Sequence, residues 1–334
     1  MSQPFPTIEF GVPGDRITLP RIGLGAMGMS GGYGSYDDGE SVKVLNHAID
    51  IGCNFWDTSN MYGFGENEVL LSKVLKERRN EVFASTKFGL IFSKPGPDFD
   101  GDYFKVITGI CGTPEYVREC AEASLKSLCV DRIDLFYQHR VDPKVPIEDT
   151  VAAMAELVKE GKVRYLGLCE CSADELRRAY KVHPIAAVQY EYSPWFTVIE
   201  SNGVLDVCRE LGIALVAYAP LGRGLFTGTL RNADGFDKHD WRFAKPRFQP
   251  ENIQDNLKLV DAIGDIAKRH GVTTAQLTLA WVLAQYENMI VIPGTKRIKY
   301  LEENFAAGQI KLTAAEINEI RDLVEAADIK GDRY

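Results

Sequence analysis

Four polar side chains lie in or beside short apolar runs in the first half of the sequence. Lys87 interrupts the run VFASTKFG, Asp57 ends the run NFWD, His139 follows IDLFYQ, and Tyr62 comes five residues after Asp57. A lysine inside an apolar strand must lose its water, which is costly unless a carboxylate lies beside it. Asp57, on the preceding apolar run, is the natural partner of Lys87. The two could also form an ion pair with no more than a structural role.

Tyr62 and His139 give that ion pair a chemical use. A positive charge near a tyrosine favours the phenolate, so Lys87 is predicted to lower the pKa of Tyr62 from about 10. The hydroxyl then becomes a proton donor near neutral pH. The imidazole of His139 can hydrogen-bond a substrate carbonyl and orient it. A polarised carbonyl and a general acid, with no metal-binding pattern in the sequence, indicate hydride transfer from an organic cofactor.

The elements that must position these side chains alternate between strand-like and helix-like runs. The strand-like runs are short and rich in Val, Ile, Leu and Phe, as expected for strands that are covered on both faces. They occupy residues 21–27, 54–59, 82–89, 133–140, 164–171, 186–193, 213–222 and 289–295. Eight sequential strand–helix units favour an α/β fold of the closed (β/α)8 TIM-barrel type over an open sheet. Active sites of such barrels lie at the carboxyl ends of the strands.

No linker or shift in composition divides the chain, so we expect a single domain over residues 1–334. Residues 8–20 are predicted to form an N-terminal hairpin around a Pro-Gly-Asp turn, in a position to close the bottom of the barrel. The barrel itself is expected over residues 21–308, and an extra C-terminal helix over residues 313–327. One barrel helix has a sequence signal at its start, because Ser172 followed by Glu175 is a capping-box pattern.

The composition is that of an ordinary globular protein. Hydrophobic residues make up 45% and charged residues 25% of the 334 residues, and 38 basic against 47 acidic residues give a net charge of −9. This balance argues against a dedicated nucleic-acid or anionic-membrane binder. No stretch approaches the roughly 18 consecutive apolar residues of a membrane span. Seven cysteines without a Cys-x-x-Cys, and an N-terminus without a signal-peptide pattern, predict a cytoplasmic protein.

Two glycine-rich motifs match known signatures by chance. Residues 23–28 fit G-x-G-x-x-G and residues 28–32 fit G-x-S-x-G. Both signatures require a helix that opens directly after the turn. Here the turn continues into the glycine-rich segment MSGGYGSYDDG, which cannot start a helix. We therefore predict a plain strand–helix loop, and neither a Rossmann turn nor a nucleophile elbow.

Longer motifs in the chain follow the pattern of one known family. They are FWDTSNMYGFGENEVLLSKVL, VFASTKFG, DLFYQHRVDP, GKVRYLGLCECS, AAVQYEYS, AYAPLGRG and VIPGTKRIKYLEEN, and they span positions 54–304. On these motifs the chain resembles the aldo-keto reductases, most of all the microbial and plant branch with pyridoxal reductase-like and auxin-induced-like enzymes. The resemblance implies a metal-free (β/α)8 barrel that reduces carbonyls with NADPH. The family's catalytic tetrad falls on Asp57, Tyr62, Lys87 and His139.

The resemblance also implies where NADPH or NADP+ would bind. Gln189 would hold the nicotinamide carboxamide, and Tyr218 would stack on the nicotinamide ring. The other implied cofactor-binding positions are Leu221, Gly222, Arg223 and Gly224 along the pyrophosphate, Gly294, Thr295, Lys296 and Arg297 at the 2′-phosphate, and Glu303 and Asn304 at the adenine. The chain departs from the family where Cys169-Glu170 replaces the usual Ser-Asn. A thiol and a carboxylate suit a carboxamide less well.

The function expected from the sequence is reduction of aldehydes or ketones to alcohols. The partner would be a small-molecule carbonyl substrate, with no nucleic acid and no membrane. Aromatic residues in the predicted loops over the site indicate apolar or aromatic carbonyls; they are Tyr33, Phe92, Phe99, Tyr103, Phe104, Phe226 and Trp241. The alternative is a cofactor-binding regulatory subunit that resembles the potassium-channel β-subunits. The sequence does not specify an oligomeric state.

Overall fold

The computed structural model describes residues 5–94, 96, 99, 102–232, 236 and 240–333. Its strands are β1 (Thr7–Val12), β2 (Asp15–Pro20), β3 (Leu24–Gly25), β4 (Phe55–Asp57), β5 (Phe83–Phe88), β6 (Leu90–Phe92), β7 (Ile107–Ile110), β8 (Ile133–Gln138), β9 (Val163–Cys169), β10 (Ala187–Glu191), β11 (Ala214–Tyr218) and β12 (Met289–Val291). Its longer helices are α1 (Asp38–Asp50), α2 (Glu66–Arg78), α3 (Pro114–Leu128), α4 (Ile147–Lys159), α5 (Ala173–Val182), α6 (Val204–Leu211), α7 (Pro250–His270), α8 (Thr274–Ala284), α9 (Ile298–Ala306) and α10 (Ala314–Ala326).

Eight of these strands form one parallel sheet in the order β3-β4-β5-β8-β9-β10-β11-β12. The sheet closes on itself, because Ile22 bridges Val291 and Gly25 bridges Gly294, both in parallel. The N–H of Gly23 donates to the carbonyl of Val291 at 2.8 Å across this seam. The predicted (β/α)8 barrel is therefore confirmed.

The N-terminal hairpin is the antiparallel pair β1–β2, as predicted. Phe10 of β1 is fully buried. Its ring meets those of Phe83 and Tyr165 edge-on, with centroids 5.3 and 5.5 Å apart. Because both partners belong to barrel strands, the hairpin closes the amino-terminal end of the barrel. A separate and larger apolar core lies between the sheet and the surrounding helices.

Local helix signals act as predicted. The hydroxyl of Ser172 accepts the N–H of Glu175, and the Glu175 side chain accepts the N–H of Ser172, so α5 begins with a complete capping box. After β3 the chain forms only a short 3-10 turn over Met27–Ser30, and α1 does not begin until Asp38. The glycine-rich segment is thus a loop, which excludes the helix that a Rossmann turn or a nucleophile elbow needs.

One element was not predicted. The segment after β5 was expected to be an irregular loop, but β6 and β7 pair within it as a short antiparallel hairpin with an irregular register. The Gly, Pro and Asp residues between the two strands hid this pairing in the sequence. Leu90 of β6 packs with Met61, so the hairpin forms one wall above the carboxyl end of the barrel.

Within the described residues, no helix is both long and apolar enough to cross a membrane.

Candidate active site

Lys87 and Asp57 meet inside the barrel. They lie on the adjacent parallel strands β5 and β4, and both side chains are almost completely buried. The ammonium contacts Asp57 Oδ1 and donates to the carbonyl of Thr58 at 2.7 Å. Burial lowers the pKa of Lys87, but Asp57, Tyr62 and Cys169 together outweigh burial and hold the pKa above its ordinary value. Lys87 is therefore a permanent cation at the barrel's carboxyl end.

The second oxygen of Asp57 is also fully engaged. Asp57 Oδ2 accepts from Ser85 Oγ at 2.9 Å and from Gln189 Nε2 at 2.8 Å. A buried carboxylate with these partners is well compensated for its lost water. Gln189 was expected at the nicotinamide carboxamide. It lines the cavity, and its amide nitrogen is bound to Asp57 in this structure.

Tyr62 lies directly above Lys87, in the loop after β4. The Lys87 ammonium is 3.4 Å from the Tyr62 hydroxyl and 4.9 Å from the centre of its ring. The sequence predicted a lowered pKa for Tyr62, and this prediction was wrong. Burial raises the pKa of Tyr62 to about 12, although Lys87 opposes the rise. The reason is that removing the phenolate from water costs more than one neighbouring cation returns, so Tyr62 keeps its proton at neutral pH.

His139 completes the group of four. Its ring meets Tyr62 edge-on at a centroid distance of 6.0 Å, and its Nδ1 lies 3.3 Å from Ser59 Oγ. Burial, with help from Lys87 and Arg140, holds the pKa of His139 well below its ordinary value. A neutral imidazole can donate one hydrogen bond to a carbonyl oxygen while its other nitrogen is occupied. Sequence reasoning missed Ser59, although it stands in the same apolar run as Asp57.

A cavity of about 780 Å³ opens over these residues. This volume lies within the range of small-molecule sites. The predicted site residues that line it are Asp57, Tyr62, His139, Gln189, Tyr218, Leu221, Arg223, Gly224, Gly294, Thr295, Lys296 and Arg297. Lys87 lies beneath the cavity floor, in contact with Asp57 and Tyr62. Among the described residues, no group of His, Cys, Asp and Glu side chains could hold a metal ion.

Two loops meet over one side of the cavity. The N–H of Trp241 donates to the carbonyl of Gly32 at 3.0 Å, and the rings of Tyr33 and Trp241 meet edge-on at 5.9 Å. Both aromatic residues line the cavity, as predicted. Phe226 was expected there as well. It instead packs in the core against Trp195, with its ring fully buried, because the 3-10 turn that carries it directs the side chain inwards.

The other predicted aromatic residues divide into two groups. Phe64 meets Phe92 at 6.2 Å and Phe99 at 5.6 Å between ring centroids. Phe92 and Phe99 thus belong to an aromatic cluster next to Tyr62 and Met61. The side chains of Tyr103 and Phe104 lie outside the described part of the structure.

The segment after β12 carries the predicted phosphate residues. Lys296 Nζ donates to the carbonyls of Tyr33 at 2.9 Å and Ser35 at 2.6 Å, which ties this segment to the loop after β3. Arg297 is exposed and stands directly before α9. A guanidinium at a helix N-terminus, near a second cation, suits a phosphate dianion.

Glu303 and Asn304 were predicted to hold an adenine ring. They lie further along α9, and neither is among the described residues that line the cavity. Glu303 accepts from Thr273 Oγ1 at 2.7 Å, and Asn304 is buried. The helix turns both side chains towards neighbouring structure, so this structure does not bring them to the cavity.

Arg223 was predicted to lie along a pyrophosphate. Leu221, Arg223 and Gly224 line the cavity, with a left-handed backbone at Arg223 (φ 58°) and Gly224 (φ 97°), whereas Gly222 is buried and is not among the described lining residues. The guanidinium of Arg223 is directed to Glu191, 2.8 Å away, and to the carbonyl of Arg333. The two residues of the Cys169-Glu170 pair lie in different surroundings. Cys169 lines the cavity, whereas Glu170 binds Arg333 and the Tyr218 hydroxyl.

Strained backbone is concentrated at this end of the barrel. Phe64, Glu170, Ala219 and Arg223 all have φ between 49° and 58°, in the left-handed region that non-glycine residues avoid. Each follows the carboxyl end of a barrel strand. Such strain persists where the surrounding structure enforces it, and it clusters at functional sites.

Known proteins resemble this chain over nearly its whole length. The model of the aldo/keto reductase family matches residues 21–325. The aldo-keto reductase str7 of Strobilurus tenacellus is 48% identical over 99% of this chain and 95% of its own. The aldo-keto reductase yakc [NADP(+)] of Schizosaccharomyces pombe is 45% identical over 95% of this chain and 92% of its own. The chain therefore belongs to the aldo/keto reductase family.

A solved structure agrees with this assignment. The glycerol dehydrogenase of Gluconobacter oxydans is 27% identical and superposes with a TM-score of 0.84, covering 96% of this chain and 95% of its own. The resemblance seen in the sequence motifs is thus confirmed at the level of the family and of the fold.

Proposed function

We propose that this protein reduces aldehydes or ketones to alcohols with NADPH, and that Tyr62 is the general acid. The observation that carries the proposal is the contact of a protonated tyrosine with a buried, permanently charged lysine at the floor of a cavity. When bound, NADPH would supply the hydride that the carbonyl carbon accepts. The carbonyl oxygen then needs one proton, and the Tyr62 hydroxyl is the acidic group that opens onto this cavity floor.

Each member of the group has a separate task in this reaction. The carbonyl oxygen gains negative charge as the hydride arrives, so its proton affinity rises above that of Tyr62 and the proton moves to it. Lys87 stabilises the tyrosinate that remains, because its ammonium is 3.4 Å from that oxygen. Asp57 holds Lys87 in place, and the neutral imidazole of His139 orients the carbonyl through a hydrogen bond.

The proposed cofactor is NADPH rather than NADH. The residues present fit it, because the cavity continues from the tetrad along segment 221–224 to the basic segment 294–297. Lys296 and Arg297 would hold the 2′-phosphate that distinguishes the two cofactors. The name of the yeast relative yakc includes NADP(+), which supports the same choice.

The substrate side of the cavity favours an apolar or aromatic carbonyl. Met27, Met61, Leu90, Ile107 and Trp241 line the cavity. Apolar substrate surface that is buried against this wall stabilises the complex, whereas substrate hydroxyl groups gain little from it. We therefore propose aromatic aldehydes and apolar ketones as substrates in preference to sugars.

We also propose that the enzyme forms one domain and works in the cytoplasm. All seven cysteines are free, and five of them are buried. Free buried thiols are typical of a reducing compartment.

Replacing Tyr62 with Phe tests the proposal directly. The Tyr62→Phe variant loses the proton donor and keeps the ring, so kcat for an aromatic aldehyde should fall at least about 100-fold. The Kd for NADPH, measured by fluorescence titration, should stay within about twofold of wild type, since the hydroxyl is not a predicted cofactor contact.

Tyr36→Phe is the matched control, because Tyr36 is an exposed tyrosine outside the cavity lining. It should retain wild-type kcat and Kd. Near wild-type turnover in Tyr62→Phe would disprove the assignment of the acid. A wild-type chain that binds NADPH and turns over no carbonyl would favour the regulatory-subunit alternative.

A further inference from the structure

A second group of buried charges lies behind Tyr218, outside the tetrad. It consists of two carboxylates, Glu170 and Glu191, and two guanidinium groups, Arg223 and Arg333. All four side chains are mostly or fully buried. Arg333 comes from the C-terminal segment of the chain, far in sequence from the other three. We call these four residues the C-terminal charge cluster.

Arg333 joins the cluster together. Its Nη1 and Nη2 donate to the two oxygens of Glu170 at 3.1 and 2.8 Å, and its Nε donates to Glu191 Oε2 at 2.5 Å. Nη2 also donates to the hydroxyl of Tyr218 at 2.5 Å. The Tyr218 hydroxyl in turn donates to Glu170 Oε1 at 2.8 Å. Arg333 and Glu170 are therefore directly bonded to a residue that lines the cavity.

The segment that carries Arg333 is held in place by α7 and the turn before it. Asn256 donates to the carbonyl of Lys330 at 2.9 Å and accepts the N–H of Lys330 at 2.8 Å. Arg247 Nε donates to the carbonyl of Gly331 at 3.3 Å. The carbonyl of Arg333 accepts from Arg223 at 2.7 Å. These bonds bring the guanidinium to Tyr218 as part of the fold, without a need for a ligand.

The C-terminal charge cluster costs folding free energy that a purely structural role does not explain. Glu170 has φ 52°, a conformation that disfavours a glutamate. Buried ion pairs add little net stability compared with apolar packing. Burial raises the pKa of Glu170, but Arg333, with help from the backbone N–H of Glu191 and from Arg140, outweighs burial and holds the pKa below its usual value. Glu170 is therefore charged at neutral pH, and it is hydrogen-bonded to the hydroxyl of Tyr218.

We propose that Arg333 and Glu170 set the electrostatic potential at the nicotinamide end of the cavity, and thereby determine how strongly the site prefers one oxidation state of the cofactor. The inference rests on the proposed function, and on the position against Tyr218 that the family resemblance implies for the nicotinamide ring. Oxidised nicotinamide carries a positive ring charge that the reduced ring lacks. Adding or removing one unit of charge next to the Tyr218 hydroxyl should therefore change the affinity for NADP+ and hardly change the affinity for NADPH.

Opposite charge changes should give opposite effects. Arg333→Met removes a positive charge, so NADP+ should bind more tightly relative to NADPH. Glu170→Gln removes a negative charge and keeps hydrogen-bonding groups, so NADP+ should bind less tightly relative to NADPH. For a separation of about one side-chain length in a medium of intermediate dielectric, each ratio of the two Kd values should shift roughly 3- to 10-fold. Arg140 and Arg247 also act on these carboxylates, but they are the same in every variant.

The experiment measures Kd for NADP+ and for NADPH by fluorescence titration of the full-length wild type, Arg333→Met, Glu170→Gln and the double variant. The double variant should return the Kd ratio to within about twofold of wild type. Arg269→Met is the charge-matched control, since Arg269 is an exposed arginine paired with Glu319 on the surface. It should leave the ratio unchanged.

The outcomes separate the inference from the function on which it rests. A merely structural cluster would weaken both cofactor forms in parallel, so an unchanged ratio in Arg333→Met and Glu170→Gln overturns the inference while NADPH binding by wild type stands. A wild-type chain that binds neither form overturns both. If Arg333→Met does not fold, Glu170→Gln alone decides, because its ratio must move in the stated direction.

Discussion

The two ends of the barrel differ in the side chains that fill them. At the amino-terminal end, the β1–β2 hairpin inserts Phe10 between aromatic rings of the barrel strands. At the carboxyl end, the interior holds the buried Lys87, the largely buried Glu170 and Glu191, and several left-handed backbone positions. Apolar packing stabilises the fold and requires only that the side chains fit together closely. Buried charge contributes little net stability and fixes side chains in one arrangement.

This difference separates residues that hold the barrel from residues that would use it. A change at the hairpin end should affect the free energy of unfolding and leave the activity of the folded fraction unaltered. A change at the carboxyl end should affect chemistry or cofactor binding, and stability only where a buried charge loses its partner. Variants at the two ends can test whether stability and function divide in this way.

The largest effect is expected for Lys87→Met. The variant leaves the buried carboxylate of Asp57 without its cation, which should cost about 3–5 kcal/mol of unfolding free energy. It also removes the cation that stabilises the Tyr62 phenolate, so kcat should fall at least about 100-fold. Urea unfolding and aldehyde turnover measure the two losses.

Lys73→Met is the matched control for this variant. Lys73 forms a 2.6 Å ion pair with Asp38 on the surface, where both side chains are about half exposed, at 46% and 53%. Such a pair contributes about 0–1 kcal/mol. If Lys87→Met were as stable and active as Lys73→Met, the buried pair would have neither of the roles assigned to it.

Phe10→Ala should match Lys87→Met in stability and differ from it in function. Removing a fully buried phenylalanine leaves a cavity and typically costs about 3–5 kcal/mol. The kcat of the folded fraction should remain at the wild-type value, since Phe10 lies at the opposite end of the barrel. Phe243→Ala, at a ring that is 60% exposed, should change stability by less than about 0.5 kcal/mol. A loss of kcat in folded Phe10→Ala would show that the two ends are coupled.

The smallest effect is expected at the phosphate segment. The double variant Lys296→Ala, Arg297→Ala should weaken NADPH binding at least about 10-fold, because each charge-assisted hydrogen bond that it loses contributes about 1.5–3 kcal/mol. NADH binding should barely change. The double variant Lys268→Ala, Lys311→Ala removes the same total charge elsewhere on the surface and serves as the control. Parallel losses for NADH and NADPH would mean that the segment shapes the loop and does not recognise the phosphate.

The parts that the sequence predicted are those controlled by local pattern. The strand runs, the capping box at Ser172 and the proximity of Asp57, Tyr62, Lys87 and His139 depend on residues close in sequence or on the regular geometry of a barrel. The parts it missed depend on distance and burial. Nothing local connects Arg333 to Glu170, and the pKa of Tyr62 changes direction once the depth of burial is known.

The seam of the barrel has a consequence for the chain during its synthesis. Arg21, just before β3, donates to the carbonyl of Met289, 268 positions later, and the backbone N–H of Val291 donates back to Arg21 at 2.9 Å. One edge of β3, the first barrel strand, therefore stays unpaired until β12 has been synthesised and most of the chain has left the ribosome. An open strand edge can pair with another chain, and closure over such a long loop is slow. The interval before β12 emerges is thus the period in which a growing chain is most exposed to aggregation.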